Sequence, residues 1–163
     1  MRTTILLAFA LLATTASPAQ ALLCTPIVGC TCSVSANDIA FTGVNPLAGA
    51  QDAQGDVSVD CTGVVDVAPS VTVQINKGTW GTISARKMRD GAARLLDYNI
   101  YTGVTHAIVW GDGTSGSSTV SVSGGILTLG HWSASRTMYG QVSPATSTVP
   151  GSYTDTVVVR IDW

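Results

Sequence analysis

Residues that could act as nucleophiles occur in this chain without the partners that such chemistry needs. Ser84 and Lys87 have the Ser-x-x-Lys spacing of penicillin-binding enzymes, in which the serine is the nucleophile. That site also needs Ser-Asp-Asn and Lys-Thr-Gly motifs, and the sequence contains neither. The stretch Gly113-Thr114-Ser115-Gly116 misses the nucleophile elbow of hydrolases by one position. The sequence therefore predicts no serine-dependent enzyme.

Carboxylates, histidines and cysteines could serve acid–base catalysis or hold a metal ion. All 10 acidic residues are aspartates, and none stands in a setting typical of a glycosidase pair. Cys30 and Cys32 form a Cys-x-Cys pair, but zinc needs more ligands, and His106 and His131 lie far along the chain. Asp112 lacks the acidic residues that would follow it in a calcium loop. We predict that the protein is not an enzyme, with no catalytic, cofactor-binding or metal-binding residue and no cofactor.

The N-terminus predicts export. A positively charged start precedes an apolar run from Ile5 to Ala13, and Ala19-Gln20-Ala21 has the small-x-small form of a cleavage site. The run is about nine residues long, whereas a membrane span needs about 20. A lipoprotein anchor at Cys24 is less favoured because the preceding Leu23 is not small. We predict a secretory signal peptide over residues 1–21.

Export changes the interpretation of the 4 cysteines, because an even set in an oxidising compartment is typical of disulfides. Three pairings are open. Cys30 and Cys32 are separated by one residue, which is an awkward geometry for a bridge in extended chain. We favour Cys32–Cys61 together with a small local loop closed by Cys24–Cys30.

The charge composition excludes one class of function and leaves a basic cluster to explain. Charged residues make up 11% of the chain, against about 25% in a typical domain. The formal net charge of −2 argues against a nucleic-acid binder. Basic residues cluster at Arg86, Lys87, Arg89 and Arg94. This cluster could bind an anionic polymer, but we favour a solvated hairpin region with Asp90 and Asp97 nearby.

The remaining sequence is typical of β-strands, because apolar and polar residues alternate with period two. The alternating apolar residues are Cys32, Val34 and Ala36; Val57, Val59 and Cys61; Val71, Val73 and Ile75; Tyr98 and Ile100; Val120 and Val122; and Val157, Val159, Ile161 and Trp163. Turn residues separate these runs, and only Asp90 to Leu96 could form a single helical turn. The pattern predicts an all-β, immunoglobulin-like antiparallel sandwich, with a closed barrel as the second choice.

Seven segments, taken in order, resemble the spore coat protein U domain family, which includes the pilins of archaic chaperone–usher systems. They are Cys32-Ser-Val-Ser, Val57-Ser-Val-Asp-Cys61-Thr, Arg86-Lys-Met-Arg-Asp-Gly91, Leu96-Asp-Tyr-Asn-Ile-Tyr101, Val109-Trp-Gly-Asp-Gly-Thr114, Met138-Tyr-Gly-Gln-Val142 and Pro150-Gly-Ser-Tyr-Thr-Asp-Thr156. Each segment is weak alone, and the specificity lies in their shared order. We expect a short N-terminal segment over 22–31, with Cys24 and Cys30, and a pilin-like sandwich domain over 32–163.

The resemblance implies a secreted structural subunit of a surface fibre, a chaperone–usher pilus, or of a coat. Such a subunit serves adhesion or biofilm formation and assembles by β-strand addition. Its fold lacks the last strand, which leaves a groove beside a strand that here contains Val157, Val159, Ile161 and Trp163. Implied partners are a periplasmic chaperone, an outer-membrane usher and neighbouring pilin-like subunits, with no nucleic acid and no membrane span after signal cleavage. The implied route is through the periplasm to the cell surface or medium.

The candidate donor segment departs from the family pattern. Its apolar residues are Leu22, Leu23, Ile27 and Val28. Pro26 removes a ladder donor, and a Cys24–Cys30 loop would prevent extension. We therefore expect a subunit that accepts a strand better than it donates one, as a terminal or minor subunit or a coat protein that completes its own fold would.

The tryptophans support an alternative function. Trp80, Trp110, Trp132 and Trp163 could line a carbohydrate site. The alternative is a secreted carbohydrate- or surface-binding adhesin module that does not polymerise. We favour core packing and strand ends for these side chains.

Overall fold

A computed structural model describes residues 31–66, 70–124 and 128–162 of the chain, and these ranges form two antiparallel sheets. Across the larger sheet the strands are β1 (Thr31–Ala36), β2 (Gln51–Asp66), β8 (Thr128–Val142), β6 (Leu95–Tyr101), β5 (Arg86–Arg89) and β4 (Trp80–Gly81). Across the smaller sheet they are β7 (Val120–Ser123), β3 (Ser70–Ile75) and β9 (Val159–Asp162). The described ranges contain no helix, so the prediction of an all-β antiparallel fold is confirmed.

The core lies between the two sheets and is built from the alternating residues. In β3 every second residue is buried, namely Val71, Val73 and Ile75. These side chains share one core with Val57 and Val59 of β2. Burial of each branched side chain contributes about 1.5 to 3 kcal/mol, which is why the alternation holds these strands in register. The predicted sandwich of two facing sheets is confirmed.

A disulfide fastens β1 to the central part of the larger sheet. Cys32 lies directly opposite Cys61 in the β1–β2 register, and their sulfur atoms are bonded. The predicted Cys32–Cys61 pairing is therefore confirmed. The predicted Cys24–Cys30 loop lies outside the described residues.

Several elements differ from the sequence prediction, and among them β4 and β5 lie outside the predicted alternating runs. The central strand β8 was not predicted, because its buried positions include Trp132, Met138 and Gly140 rather than a run of β-branched residues. The last strand was predicted from Val157, but β9 begins at Val159. The stretch that could have formed a helical turn is the loop of the β5–β6 hairpin, closed by a bond from Asp90 N to the Arg94 carbonyl.

The basic cluster is not wholly solvated, because Arg86 is 0% exposed. Its guanidinium donates to the Asn99 side-chain oxygen at 2.6 Å, the Asn76 carbonyl at 2.7 Å and the Trp110 carbonyl at 2.9 Å. A longer bond reaches the Ile75 carbonyl at 3.2 Å. Arg86 thus joins β5 of the larger sheet to the end of β3 in the smaller one. Sequence reasoning placed this residue on the surface because it belongs to a cluster of basic residues with Asp90 and Asp97 nearby, although Met88 two positions further on is apolar and buried.

The other members of the cluster fit the favoured interpretation of a hairpin with acidic neighbours. Their partners are Asp97 for Lys87, Asp90 for Arg94, and the ring of Trp80 for Arg89, whose guanidinium carbon lies 4.5 Å from the ring centroid. Each is a local pair on the β5–β6 hairpin or its edge, so the cluster does not form one continuous basic surface.

Candidate functional site

Strand β9 pairs with β3 on one side, and no described strand pairs with its other side. The Asn76 N–H donates to the Val158 carbonyl at 3.0 Å, which sets the phase of the ladder. In an antiparallel pair the bonded residues alternate, so the backbone groups of Val158 and Arg160 point towards β3. The N–H and C=O groups of Val157, Val159 and Ile161 therefore point towards the open edge.

The side chains of the same odd-numbered residues point towards the core. Val157, Val159 and Ile161 are half-buried and pack against the core cluster, whereas Val158 is 58% exposed on the opposite face. Alternating apolar side chains and unpaired edge groups thus occur along one strand. That combination is what an added extended strand needs in order to bind.

A cleft continues from this edge along the end of the sandwich. The part beside Val157 and Val159 is about 180 Å³ and the part further along is about 470 Å³, and Ile39, Phe41 and Met88 line both. One wall is the chain that follows β1, and the other is the chain that leads into β9. The floor is made by Met88, Leu96, Tyr98, Ile100 and Met138.

Most side chains that line the cleft are apolar, and its polar lining residues are Asn37, Asp38, Thr148, Asp155 and Thr156. Tyr98 donates its hydroxyl to Asp155 Oδ2 at 2.7 Å, and the Thr79 N–H donates to Asp155 Oδ1 at 2.9 Å. Burial raises the pKa of Tyr98, and the bond to Asp155 raises it further, so the phenol stays neutral. The charged residues of the lining are Asp38 and Asp155, and no basic side chain lines the described cleft. A long apolar segment fits this surface better than an anionic ligand does.

The structure locates only part of the predicted groove strand. Val157, Val159 and Ile161 lie along the open edge, while Trp163 lies outside the described residues. The candidate donor residues Leu22, Leu23, Ile27 and Val28 also lie outside them. Sequence reasoning missed the wall residues Ile39 and Phe41, whose spacing of two was the available signal.

Two of the tryptophans considered for a carbohydrate site are buried. Trp110 is 1% exposed and donates its indole N–H to the Val73 carbonyl at 3.1 Å, and Trp132 belongs to the core. Trp80 is half-buried at the sheet edge under Arg89. Core packing is thus the role of Trp110 and Trp132, and the described part of the chain presents no row of exposed tryptophans.

Other kinds of site find no support in the described ranges. No group of three or more His, Cys or Asp side chains comes together there in a way that could hold a metal ion. Nor does any helix with the length and apolarity to cross a membrane occur in that part of the chain.

The comparison with family models covers most of the chain. The model for the Spore Coat Protein U domain matches residues 19–160. The chain belongs to the Spore Coat Protein U domain family. This membership confirms the resemblance that the ordered segments indicated.

A solved structure shares the fold of this Spore Coat Protein U domain. It is the CsuC–CsuE chaperone–tip adhesion subunit pre-assembly complex from the archaic chaperone–usher Csu pili of Acinetobacter baumannii. The match has a TM-score of 0.51 and 18% sequence identity, and it covers 82% of this chain and 40% of the other chain. At this identity the similarity concerns the fold. No significant match was found among curated proteins.

Proposed function

We propose that this protein is an exported structural subunit of a surface fibre of the chaperone–usher type, or of a coat, that accepts an extended strand beside β9. The observation that carries the proposal is the open edge of β9 with the apolar cleft continuing from it. Membership of the Spore Coat Protein U domain family and the fold shared with a chaperone–usher pilus complex support it. The proposed role is structural, in adhesion or biofilm formation, with no catalytic step.

An incoming strand would gain energy from two sources. Val157, Val159 and Ile161 each present one N–H and one C=O group to the edge, and each backbone bond is worth about 0.5 to 1.5 kcal/mol net. Each apolar side chain that fills the cleft adds about 1.5 to 3 kcal/mol. A strand of about five residues would therefore bind well, and an unfilled edge would favour aggregation.

The partners follow from this requirement. In transit through the periplasm a chaperone would cover the edge, an usher would receive the complex, and a neighbouring subunit would then supply the permanent strand. Head-to-tail addition does not close on itself, so it builds a filament. The short segment before Cys32, with Pro26 and its two cysteines, suits a subunit that accepts a strand but donates one poorly.

The proposal is tested by replacing neighbouring residues that point to opposite sides of β9. Val159→Lys places a charge in the cleft, whereas Val158→Lys places the same charge on the exposed face. The probe is a synthetic peptide of about ten residues with alternating valine and threonine, present during refolding. We expect the wild type and Val158→Lys to bind the peptide and Val159→Lys to lose binding.

Amide hydrogen exchange provides the structural measurement. Peptide binding should protect the N–H groups of Val159 and Ile161, which point to the open edge, and should leave those of Arg160 and Asp162 unchanged because β3 already protects them. If Val159→Lys does not fold, Val159→Thr can be used instead, because threonine has nearly the shape of valine. Its hydroxyl group would lie in the cleft and should weaken binding of the peptide. Equal binding by all variants, or no selective protection in the wild type, would refute the proposal.

A further inference from the structure

One wall of the cleft is held by side-chain packing rather than by sheet hydrogen bonds. The Asn37 N–H donates to the Asp56 carbonyl at 2.8 Å, directly after β1. Among the hydrogen bonds of the described residues, none involves residues 38–44. Ile39 and Phe41 of this stretch nevertheless pack against the core and line both parts of the cleft. Something other than the backbone must therefore set their position.

Two buried glycines lie beneath these side chains. Gly55 of β2 and Gly140 of β8 sit on the core-facing side of adjacent strands, where Gly140 pairs with Ala53. A Cβ atom at Gly140 would lie 2.5 Å from Ile39 Cγ2 and 2.9 Å from Phe41 Cζ. A Cβ atom at Gly55 would lie 2.6 Å from the Asn37 carbonyl oxygen and 3.0 Å from Ile39 Cγ1.

The backbone at these glycines does not itself demand glycine. Neither Gly55 nor Gly140 has a positive φ, in contrast to Gly63 and Gly130 of the same two strands. The two glycines instead leave space above the sheet, because glycine has no side chain and any other residue at these inward positions would occupy that space. Ile39 and Phe41 fill that space on one side and face the cleft on the other.

We propose that Gly55 and Gly140 are positioning residues that set the width of the cleft, and so the size of the apolar side chains it takes from an incoming strand. This inference rests on the proposed function. A methyl group at Gly140 would push Ile39 and Phe41 towards the cleft by about 1 Å, since carbon atoms in contact stay about 3.5 to 4.0 Å apart. A narrower cleft then favours alanine over valine in the strand that enters it.

The experiment compares two peptides on each protein, one with alternating valine and threonine and one with alanine in place of every valine. The measured quantity is the ratio of the two dissociation constants. We expect the wild type to prefer the valine peptide and Gly140→Ala to lose roughly 5- to 140-fold of that preference. Gly103→Ala is the matched control, because a Cβ there meets nothing within 4 Å and its φ is not positive.

A second pair of variants tests the direction of the effect. Adding Ile39→Ala to Gly140→Ala should restore part of the valine preference, because it removes Ile39 Cγ2, the nearer of the two side-chain atoms that the new methyl group displaces, and leaves Phe41 Cζ in place. Ile39→Ala alone should widen the cleft and increase the affinity for a peptide with leucine relative to valine. This single variant keeps the inference testable if Gly140→Ala does not fold.

The outcomes separate this inference from the proposed function. If the wild type binds none of the peptides, the proposed function fails. If the wild type binds the valine peptide but Gly140→Ala has the same ratio of dissociation constants as Gly103→Ala, the glycines do not set the width of the cleft. The same conclusion follows if Gly140→Ala loses affinity equally for both peptides. An unchanged leucine-to-valine ratio in Ile39→Ala would overturn the inference in the same way.

Discussion

Replacing Arg86 with methionine should cost much more stability than the same replacement of Arg89 on the same strand. Methionine keeps much of the length and removes the guanidinium. The change removes the guanidinium donor from four acceptor atoms, the carbonyls of Ile75, Asn76 and Trp110 and the Asn99 side-chain oxygen. Of these, the Asn99 oxygen still accepts from the Ile100 N–H at 2.9 Å. Because these acceptors lie on both sheets, the loss weakens the joint between the sheets rather than a single strand.

The loss in free energy of unfolding depends on two opposing contributions, the cost of burying the Arg86 guanidinium and the gain from its hydrogen bonds. Burial lowers the pKa of Arg86, and the nearby carboxylates of Asp155 and Asp112 act in the opposite direction, so the guanidinium stays charged. An orphaned buried acceptor costs about 1 to 3 kcal/mol, and removing one partner of a buried charged network costs about 3 to 5 kcal/mol. We expect Arg86→Met to lower the free energy of unfolding by about 3 to 5 kcal/mol, a large part of the 5 to 15 kcal/mol typical of a domain.

Urea unfolding measures this loss in free energy. The wild type and the variant are compared either both without peptide or both with the same peptide bound in the cleft. Arg89→Met on the same strand is the control, because its guanidinium only covers Trp80 and should contribute about 0.5 to 1 kcal/mol. Arg86→Lys should fall between wild type and Arg86→Met, since an ammonium keeps the charge but not the fork of donors. If Arg86→Met lost less than about 1 kcal/mol, the idea that this network joins the sheets would be wrong.

Two further predictions concern the disulfide and the β5–β6 loop. Reduction of Cys32–Cys61, or its replacement by two alanines, should lower stability by about 3 to 4 kcal/mol for a loop of 29 residues, measured by unfolding with and without reductant, and an unchanged midpoint would contradict it. Burial alone would raise the pKa of Asp90, but bonds from the Arg94 backbone and side chain and from the Ala92 N–H outweigh it and lower the pKa below the ordinary 3.8. The stability from Asp90 is therefore present above pH 3.8 and is lost as the pH falls through the lower folded value. Asp90→Asn should be less stable than wild type at neutral pH, and that gap should narrow in acid; a gap of constant size would contradict the assignment.

Much of the sandwich could be predicted from local sequence because its strands alternate strictly. Val71, Val73 and Ile75 mark β3 without any knowledge of their neighbours, since a strand with one buried face must alternate. Spacing also narrowed the cysteine pairings, because Cys30 and Cys32 are separated by one residue, which is an awkward geometry for a bridge in extended chain. Strand β8 escaped prediction because its buried face mixes Trp132 with glycine and methionine.

The sequence by itself determined the export signal as a prediction, the all-β class, most strand positions and the family. The tertiary structure decided which polar and small residues are buried. In the sequence Arg86 cannot be told apart from the other basic residues of its cluster. In the folded protein it is buried and donates to Asn99 and to backbone carbonyls. In the sequence Gly55 and Gly140 look like ordinary strand glycines. Only the folded protein shows that Ile39 packs directly above both of them. The physical reason is that these roles depend on contacts between segments far apart in the chain, and local periodicity carries no information about such contacts.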